Sequence, residues 1–294
     1  MFKLKSPLSF VLLNLFYLLS LSYILFNNVF SRGLSELSLI YAVLFGIISL
    51  LYGYVIGELK KAFIGYVASI FLSVGLTMLL IRVPVQWNIG WIAAELVTMW
   101  SLRNTLMYLL LVLSPISLIL IPIGIYLSTL LGKPSQIKFI FILITLLFSS
   151  LLVVNYANYN CEVYSVKLLD VNVKNVNLFF KGEHVYVNLT YSMMNRGVSV
   201  LKCSMVIYNI YLGNELCRVY SENFQGSMIL LNPSNIVERN VKIEVPMFKL
   251  KRNMLHGCVN LSLTFEVYVR SRFGVTPITY HYAAFLKVSP PLSL

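Results

Sequence analysis

Cysteine and histidine offer the widest chemistry in this sequence, and both residue types are confined to its second half. The cysteines are Cys161, Cys203, Cys217 and Cys258, and the histidines are His184, His256 and His281. The histidines are scattered, without the short spacing of a zinc site, and no glycine-rich phosphate loop or carboxylate pair accompanies them. This pattern favours a protein that is not an enzyme and that holds no cofactor or metal.

The four cysteines fit structural disulfides better than catalysis. An even number in one half of the chain predicts two disulfides in an oxidising compartment, with three connectivities open. A two-residue turn at Gly213-Asn214 would place Cys203 opposite position 224 and Cys217 opposite position 210. We therefore expect that Cys203 and Cys217 are not bonded to each other.

Two further features of the second half concern its surface. The sequons that begin at Asn188 and Asn260 predict N-linked glycans, as expected for an exterior glycoprotein domain. Lys249, Lys251 and Arg252 form a basic patch. The patch is either a solvated loop or a contact for anionic lipid head groups or an acidic partner.

Composition divides the chain into two parts that need different solvents. The 294 residues are 58% hydrophobic and only 12% charged, well below the charged share of a soluble domain. Residues 1–158 contain nine basic and three acidic side chains, whereas residues 159–294 contain 14 and eight. The first part should face lipid, and the second should be a water-exposed domain.

Long uncharged runs in the first part predict membrane-spanning helices. Each run reaches the roughly 20 residues that a helix needs to cross the hydrocarbon layer, and backbone groups in lipid must be satisfied within the helix. The predicted spans are 8–30, 37–57, 62–82, 104–131 and 139–158. Pro115 and Pro122 should kink the fourth span rather than end it.

The segment 84–102 differs from these spans. It contains all three tryptophans, Trp87, Trp91 and Trp100, with Glu95 near its middle. Indole rings favour the head-group region, so we expect a separate helix lying in the interface with the tryptophans as anchors. A crossing or re-entrant segment is the alternative.

Polar and small residues within the spans indicate how the helices pack. Gly53 and Gly57 have the spacing that lets two helices approach closely, and packing within the bundle is favoured over dimerisation. Asn14 should form an interhelical hydrogen bond. No Asp, Glu, Lys or Arg lies inside a predicted span, so the bundle is expected to act as a scaffold and anchor.

Basic residues predict the orientation. With the N-terminus in the cytoplasm, six basic residues fall in inner loops and three in outer loops, as the positive-inside rule favours. The inner set is Lys3, Lys5, Lys60, Lys61, Lys133 and Lys138, and the outer set is Arg32, Arg82 and Arg103. Five crossings then place residues 159–294 outside the cell membrane.

Alternation of apolar and polar residues predicts strands after residue 163. Residues 184–193 and 259–269 alternate with period two, and residues 202–211, 215–220, 236–245 and 278–288 are further strands between turn signals. Short strands at this spacing without helices are typical of an all-β, Ig-like antiparallel sandwich. The predicted fold is therefore a multi-pass helical membrane bundle followed by this sandwich.

The order of these strands resembles the late-embryogenesis-abundant type 2 family, also called the water-stress and hypersensitive-response domain. The stretches that carry the resemblance are 170–177, 185–197, 205–216 and the strand that ends at Pro246. The usual Asn-Pro turn is replaced by Asn195-Arg196. The resemblance covers about residues 165–288 and implies a fold without a catalytic centre.

The sequence thus predicts a non-enzymatic cell-envelope protein that displays a sandwich for binding or assembly. Its expected partners are the lipid bilayer and another membrane or envelope protein, and no nucleic acid is expected. One alternative is an accessory subunit of a larger membrane complex, and another is a small transporter or channel.

Overall fold

The computed structural model describes residues 7–29, 36–132, 135–181, 184–224, 226–253, 258–271 and 274–287. The chain divides into two compact units, Met1–Asn160 and Cys161–Leu294, close to the predicted boundary at 158. The division falls inside a helix, because helical structure continues to Lys167 where the sequence predicts strand. His256 and four residues used for the predicted orientation lie outside the described residues: Lys3, Lys5, Arg32 and Lys133.

Helices build the first unit. They are α1 (Pro7–Val29), α2 (Glu36–Ile56), α3 (Leu59–Asn88), α4 (Trp91–Tyr108), α5 (Ser114–Leu131) and α6 (Ser135–Lys167). A π-helical turn, Leu109–Leu113, joins α4 to α5, so that 41 residues form one helical run. The π turn precedes Pro115, which has no N–H to donate to the preceding turn. As predicted, the helix continues through Pro115 and Pro122.

Within the described residues, five helices are long and apolar enough to cross a membrane. This matches the predicted number of spans, although length and composition are the only criteria. The helices extend beyond several predicted bounds, because a charged residue does not stop a helix.

The expected separate helix over residues 84–102 is wrong. The helical structure is interrupted at Gly90, whose φ of 133° is accessible to glycine but strained for other residues. Residues up to Asn88 complete α3, and residues from Trp91 onward begin α4. The tryptophans therefore lie around the tip of a hairpin of two long helices.

Glycines bring α2 and α5 into backbone contact. A Cβ atom on Gly53 would lie 2.2 Å from the Ile121 carbonyl oxygen, and one on Gly124 would lie 2.1 Å from the Leu50 carbonyl oxygen. The prediction that Gly53 packs within the bundle is confirmed, with Gly124 as the counterpart that the sequence did not reveal. Small residues at such crossings are typical of helix packing in lipid.

Gly57 has a different role from the predicted one. Its φ is +65°, and its N–H donates to the Gly53 carbonyl oxygen at 2.8 Å, which closes the end of α2. A left-handed glycine just after the last helical residue is a common helix terminator. Gly57 therefore ends the helix and is not part of the packing pair.

Strands build the second unit. They are β1 (Leu169–Lys181), β2 (His184–Asn195), β3 (Leu201–Leu212), β4 (Glu215–Asn223), β5 (Ile229–Leu231), β6 (Ile236–Val245), β7 (Cys258–Ser271) and β8 (Gly274–Lys287). One antiparallel sheet has the order β1-β2-β6, and the other has the order β4-β3-β7-β8 with β5 paired to β3. A short helix, α7 (Met247–Asn253), follows β6.

The core of this unit follows the predicted alternation. Val185, Val187 and Leu189 of β2 are buried, and so are Leu261 and Leu263 of β7. Aromatic rings join the two sheets: the centroid of Tyr191 on β2 lies 5.5 Å from that of Phe265 on β7. Alternate residues of each strand thus form one shared core, while the residues between them face outward.

The close approach of α2 and α5 generates a first prediction. Gly53→Ala and Gly124→Ala should each lower the free energy of unfolding by about 1–3 kcal/mol, because the new methyl group meets a backbone oxygen that cannot rotate away. Thermal unfolding in detergent measures the effect. The control is Gly75→Ala on α3, where a Cβ meets nothing within 4 Å and stability should not fall. Equal stability of the Gly124→Ala and Gly75→Ala proteins would contradict the packing.

Candidate functional site: two buried polar clusters

A cluster of tyrosines lies at the centre of the helical unit. Tyr17 of α1 and Tyr52 of α2 are fully buried, and their rings stack with centroids 4.4 Å apart. The Tyr52 hydroxyl donates to Asn14 Oδ1 at 2.6 Å, and a 3.1 Å hydrogen bond joins the Tyr17 hydroxyl to Ser49 Oγ. The predicted interhelical hydrogen bond of Asn14 is therefore confirmed, with a tyrosine as its partner.

The same cluster reaches α3 and α5. The Tyr66 ring lies 6.4 Å from that of Tyr17, and its hydroxyl accepts from Ser117 Oγ at 2.6 Å. A Cβ on Gly65 would lie 1.9 Å from Asn14 Oδ1 and 2.2 Å from the Tyr52 hydroxyl, so only glycine leaves room for their hydrogen bond. Four helices thus meet at one set of satisfied polar groups, which fixes their mutual positions.

A second polar cluster crosses between the two sheets. Tyr191 of β2 and Tyr208 of β3 are hydrogen-bonded through their hydroxyls at 2.7 Å. The Tyr208 hydroxyl donates to Glu222 Oε2 at 2.6 Å, and Arg239 Nη2 donates to Glu222 Oε1 at 3.3 Å. The chain of bonds runs from a buried tyrosine to a partly exposed ion pair.

Burial keeps the two tyrosines of this cluster and the nearby Cys203 protonated. It raises the pKa of Tyr191 to about 12 and that of Cys203 to about 11, and it raises the pKa of Tyr208 far above its usual value. The neighbouring Tyr191 and Glu222 raise the pKa of Tyr208 further. At neutral pH the cluster offers a thiol instead of a thiolate and phenols instead of phenolates, which suits packing and not nucleophilic attack.

The cysteines depart from the predicted disulfides. All four are free thiols and lie apart: Cys161 on α6, Cys203 on β3, Cys217 on β4 and Cys258 at the start of β7. Cys203 pairs in register with Ile229 and Val269, so that it is not opposite Cys217, as predicted. The predicted pairing of Cys217 with position 210 is wrong. Cys217 is instead the extra residue of a β-bulge in β4, opposite Ile210 and Tyr211 of β3.

The described histidines form single contacts with polar neighbours. His184 Nδ1 lies 2.5 Å from Glu244 Oε1 across the β2–β6 pair. His281 Nδ1 lies 3.3 Å from Thr264 Oγ1 across the β7–β8 pair. In the part of the chain that the structure describes, no three His, Cys, Asp or Glu side chains converge as metal ligands would.

The two sequons occupy unlike positions. Asn188 lies in β2, the middle strand of its sheet, between Asn177 and Lys242, and its Oδ1 atom is buried. Asn260 lies on β7 with an exposed side chain. Both face away from the core, as alternation requires, but only Asn260 leaves space around its amide. Glycosylation stays a prediction, and Asn260 is the better placed acceptor.

The predicted basic patch is divided. Lys249 Nζ lies 3.4 Å from Glu215 Oε1 and donates to the Leu216 carbonyl oxygen at 2.8 Å, so this lysine holds α7 against β4. Lys251 and Arg252 at the end of α7 are exposed beside Lys249. The structure thus leaves two basic side chains of the three available to a lipid or an acidic partner.

Two charged side chains contact Trp91, one of the predicted anchor tryptophans. The Arg82 guanidinium lies 4.5 Å from the ring centroid of Trp91, whose Nε1–H donates to Glu95 Oε1 at 2.8 Å. Trp87 on α3 and Trp100 on α4 are also exposed. Trp91 thus has one basic and one acidic neighbour.

No family model matches the chain, and no curated protein matches it. Several solved structures are similar to part of it. One, described as a late embryogenesis abundant protein, is 11% identical with a TM-score of 0.34 over 42% of this chain and 72% of that chain. A protein from Arabidopsis thaliana is 11% identical with a TM-score of 0.35, covering 42% and 83%, and one from Archaeoglobus fulgidus is 9% identical with 0.32, covering 41% and 100%.

Alkaline pH should destabilise the strand unit through its buried thiol and phenols. A raised folded-state pKa gives stability that is complete below the unfolded value, 9.0 for cysteine and 10.0 for tyrosine, and is lost as pH rises through the folded value. Cys203 alone should account for a loss of about 3 kcal/mol between pH 9 and 11. Denaturant unfolding at several pH values measures the slope.

Two variants test whether Cys203 causes this loss of stability at alkaline pH. Cys203→Ala should flatten the first part of the decline, between pH 9 and 10, whereas Cys161→Ala should leave the slope unchanged because that side chain is exposed. An identical pH profile for wild type and Cys203→Ala would show that the thiol ionises as easily in the folded protein as in the unfolded one.

Proposed function

We propose that this chain is a multi-pass membrane protein with five crossings, whose strand-rich unit is an Ig-like sandwich outside the cell membrane. The sandwich binds or assembles with other envelope proteins and catalyses no reaction. We also propose that residues 165–288 are related to the late-embryogenesis-abundant type 2 family, which they resemble. The observation that carries the membrane assignment is the inverted polarity of helices such as α3, which expose large apolar side chains and bury small or polar ones.

Helix α3 shows this inversion most clearly. Its buried face carries small and hydroxyl-bearing residues, among them Ala62, Gly65, Ser69, Ser73 and Thr77. Its exposed face carries Phe63, Ile64, Phe71, Leu72 and Leu79, each more than half exposed. A helix on the surface of a soluble protein has the opposite arrangement. The exposed apolar face requires lipid, and the small buried residues allow close packing.

The charged residues of α3 and α6 mark two levels that fit a bilayer. Ring contacts pair Tyr23 with Phe148 and Phe26 with Tyr159, so α1 and α6 run parallel. The Tyr159 hydroxyl donates to the Ile81 carbonyl oxygen at 2.5 Å, which aligns α6 with α3. Lys60 precedes Ile81 by 21 residues, and Lys138 precedes Tyr159 by 21 residues. At 1.5 Å per residue both lysines lie about 32 Å from this bond, close to one hydrocarbon thickness.

These levels support the proposed orientation. Lys60, Lys61 and Lys138 lie at one end of the bundle, the end that the positive-inside rule assigns to the cytoplasm. The hairpin tip with Trp87 and Trp91, and the part of α6 that follows Tyr159, then lie at the other end. The strand-rich unit follows α6 on that outer side.

The edge of the five-stranded sheet supports a binding role for the outer unit. Strand β8 has 14 residues and pairs only with β7 among the described strands. An unpaired edge presents backbone donors and acceptors to which another chain can add a strand. Phe285 on this edge is 77% exposed, so an apolar contact is available beside the backbone groups.

Native thiols test the orientation. A membrane-impermeant maleimide added to intact cells should label Cys161, which is exposed just beyond the Tyr159 level, in a Cys258→Ser background. Buried Cys203 and Cys217 should react only after denaturation, and Cys161→Ser should abolish labelling of the folded protein. Labelling that requires permeabilised cells would place the strand-rich unit inside.

Substitution at the sheet edge tests the binding function. Phe285→Asp should remove at least nine-tenths of a stoichiometric partner recovered with N-terminally tagged protein from native membranes in mild detergent, because a charge replaces the apolar contact. Phe248→Asp is the control, since Phe248 is 67% exposed on α7, which is not a strand of the sheet edge. Equal recovery with both variants would exclude the β8 edge as the binding surface.

A further inference from the structure

Helix α4 and the π-helical turn that follows it carry a regular stripe on a face that no described helix covers. The stripe consists of Ile92, Leu96, Met99, Arg103, Leu106 and Leu110, all of them exposed. Their spacing of four, three, four, three and four residues is that of the contact positions of a coiled coil. The opposite face of α4 is buried through Ala94, Ser101, Thr105 and Tyr108. The stripe extends about 27 Å along the helix.

Arg103 at the middle of this stripe has no partner within the described chain. Its neighbours along the stripe, Met99 and Leu106, are apolar. Two other basic residues of the helical unit have contacts: Arg82 stacks on Trp91, and Lys61 pairs with Glu58 at 2.5 Å. Glu95 accepts from Trp91 and lies two helical turns from Arg103.

The hairpin places Arg103 deeper than Arg82. Helices α3 and α4 run antiparallel from the break at Gly90, and Arg82 lies eight residues before that break, level with about position 98. Arg103 is five residues further along α4, which is about 7 Å toward the middle of the bundle. A cation at that depth in lipid is costly unless an opposite charge accompanies it.

From this combination we propose that the stripe binds a transmembrane helix of another protein that carries an Asp or Glu at the level of Arg103. The inference rests on the proposed membrane placement and names the partner's chemistry. A second copy of this chain fits poorly, because a parallel two-fold pairing sets Arg103 against Arg103 with Glu95 two turns away. A lipid phosphate would satisfy the arginine but would not require an apolar stripe of helical length.

A designed peptide tests the proposal with the full-length protein in phosphatidylcholine vesicles at pH 8. The probe is a membrane-spanning Leu/Ala helix with a single Asp at the depth of Arg103, labelled with an acceptor for tryptophan fluorescence. The matched peptide has Leu in place of the Asp. Trp91 and Trp100 lie on α4 and serve as donors. The Asp peptide should bind at least tenfold more tightly than the Leu peptide.

Variants of the protein locate the effect. Arg103→Gln should abolish the difference between the peptides, whereas Leu143→Gln, on an exposed part of α6, should keep it. Equal affinity of both peptides for the wild type would overturn the proposal. Loss of the preference when phosphatidylglycerol is added would overturn it in favour of an anionic lipid site. Vesicle flotation reports insertion separately, so failure of the membrane placement is distinguishable from failure of the stripe.

Discussion

The hydrogen bond between Tyr52 and Asn14 in the helical unit shows the constraint on which the rest depends. A polar group buried among apolar helices needs a hydrogen-bond partner, and Tyr52 finds this partner on a neighbouring helix. Glycine at position 65 makes the room for this bond, and Gly53 and Gly124 bring α2 and α5 to backbone contact. Packing through small and polar residues at these contacts leaves many large apolar side chains outside, and in the proposed bilayer these side chains face lipid.

The strand unit follows the opposite rule, with apolar residues inside and charged residues outside. Its core also contains a polar series, the hydrogen-bonded Tyr191, Tyr208 and Glu222, which links the two sheets. The series ends at Arg239 near solvent, so the buried hydroxyls are satisfied and only the ion pair contacts water. The chain thus has two separate cores, and the division between them falls within α6.

The sequence predicted the elements of the fold better than the contacts between them. Strands such as β2 follow from alternation alone, because each period-two pattern is local. The tyrosine cluster was not predicted, since tyrosine in an apolar run contributes to hydropathy and its partner lies on another helix. Gly124 was not predicted as a packing residue, because no second glycine lies four residues away from it. Gly57 does have that spacing, but its left-handed backbone ends the helix. The bulge at Cys217 changed a register that turn length had seemed to fix.

The central claim is that lipid surrounds the exposed face of the helices, and Phe71 gives the most direct test. This side chain is 74% exposed on α3, midway between Lys61 and Arg82. A nitroxide spin label at position 71, in protein reconstituted into bilayers, should collide often with oxygen and rarely with a water-soluble nickel chelate. Nickel collisions as frequent as those of a label on Cys161 would contradict the account, because position 71 would then face water.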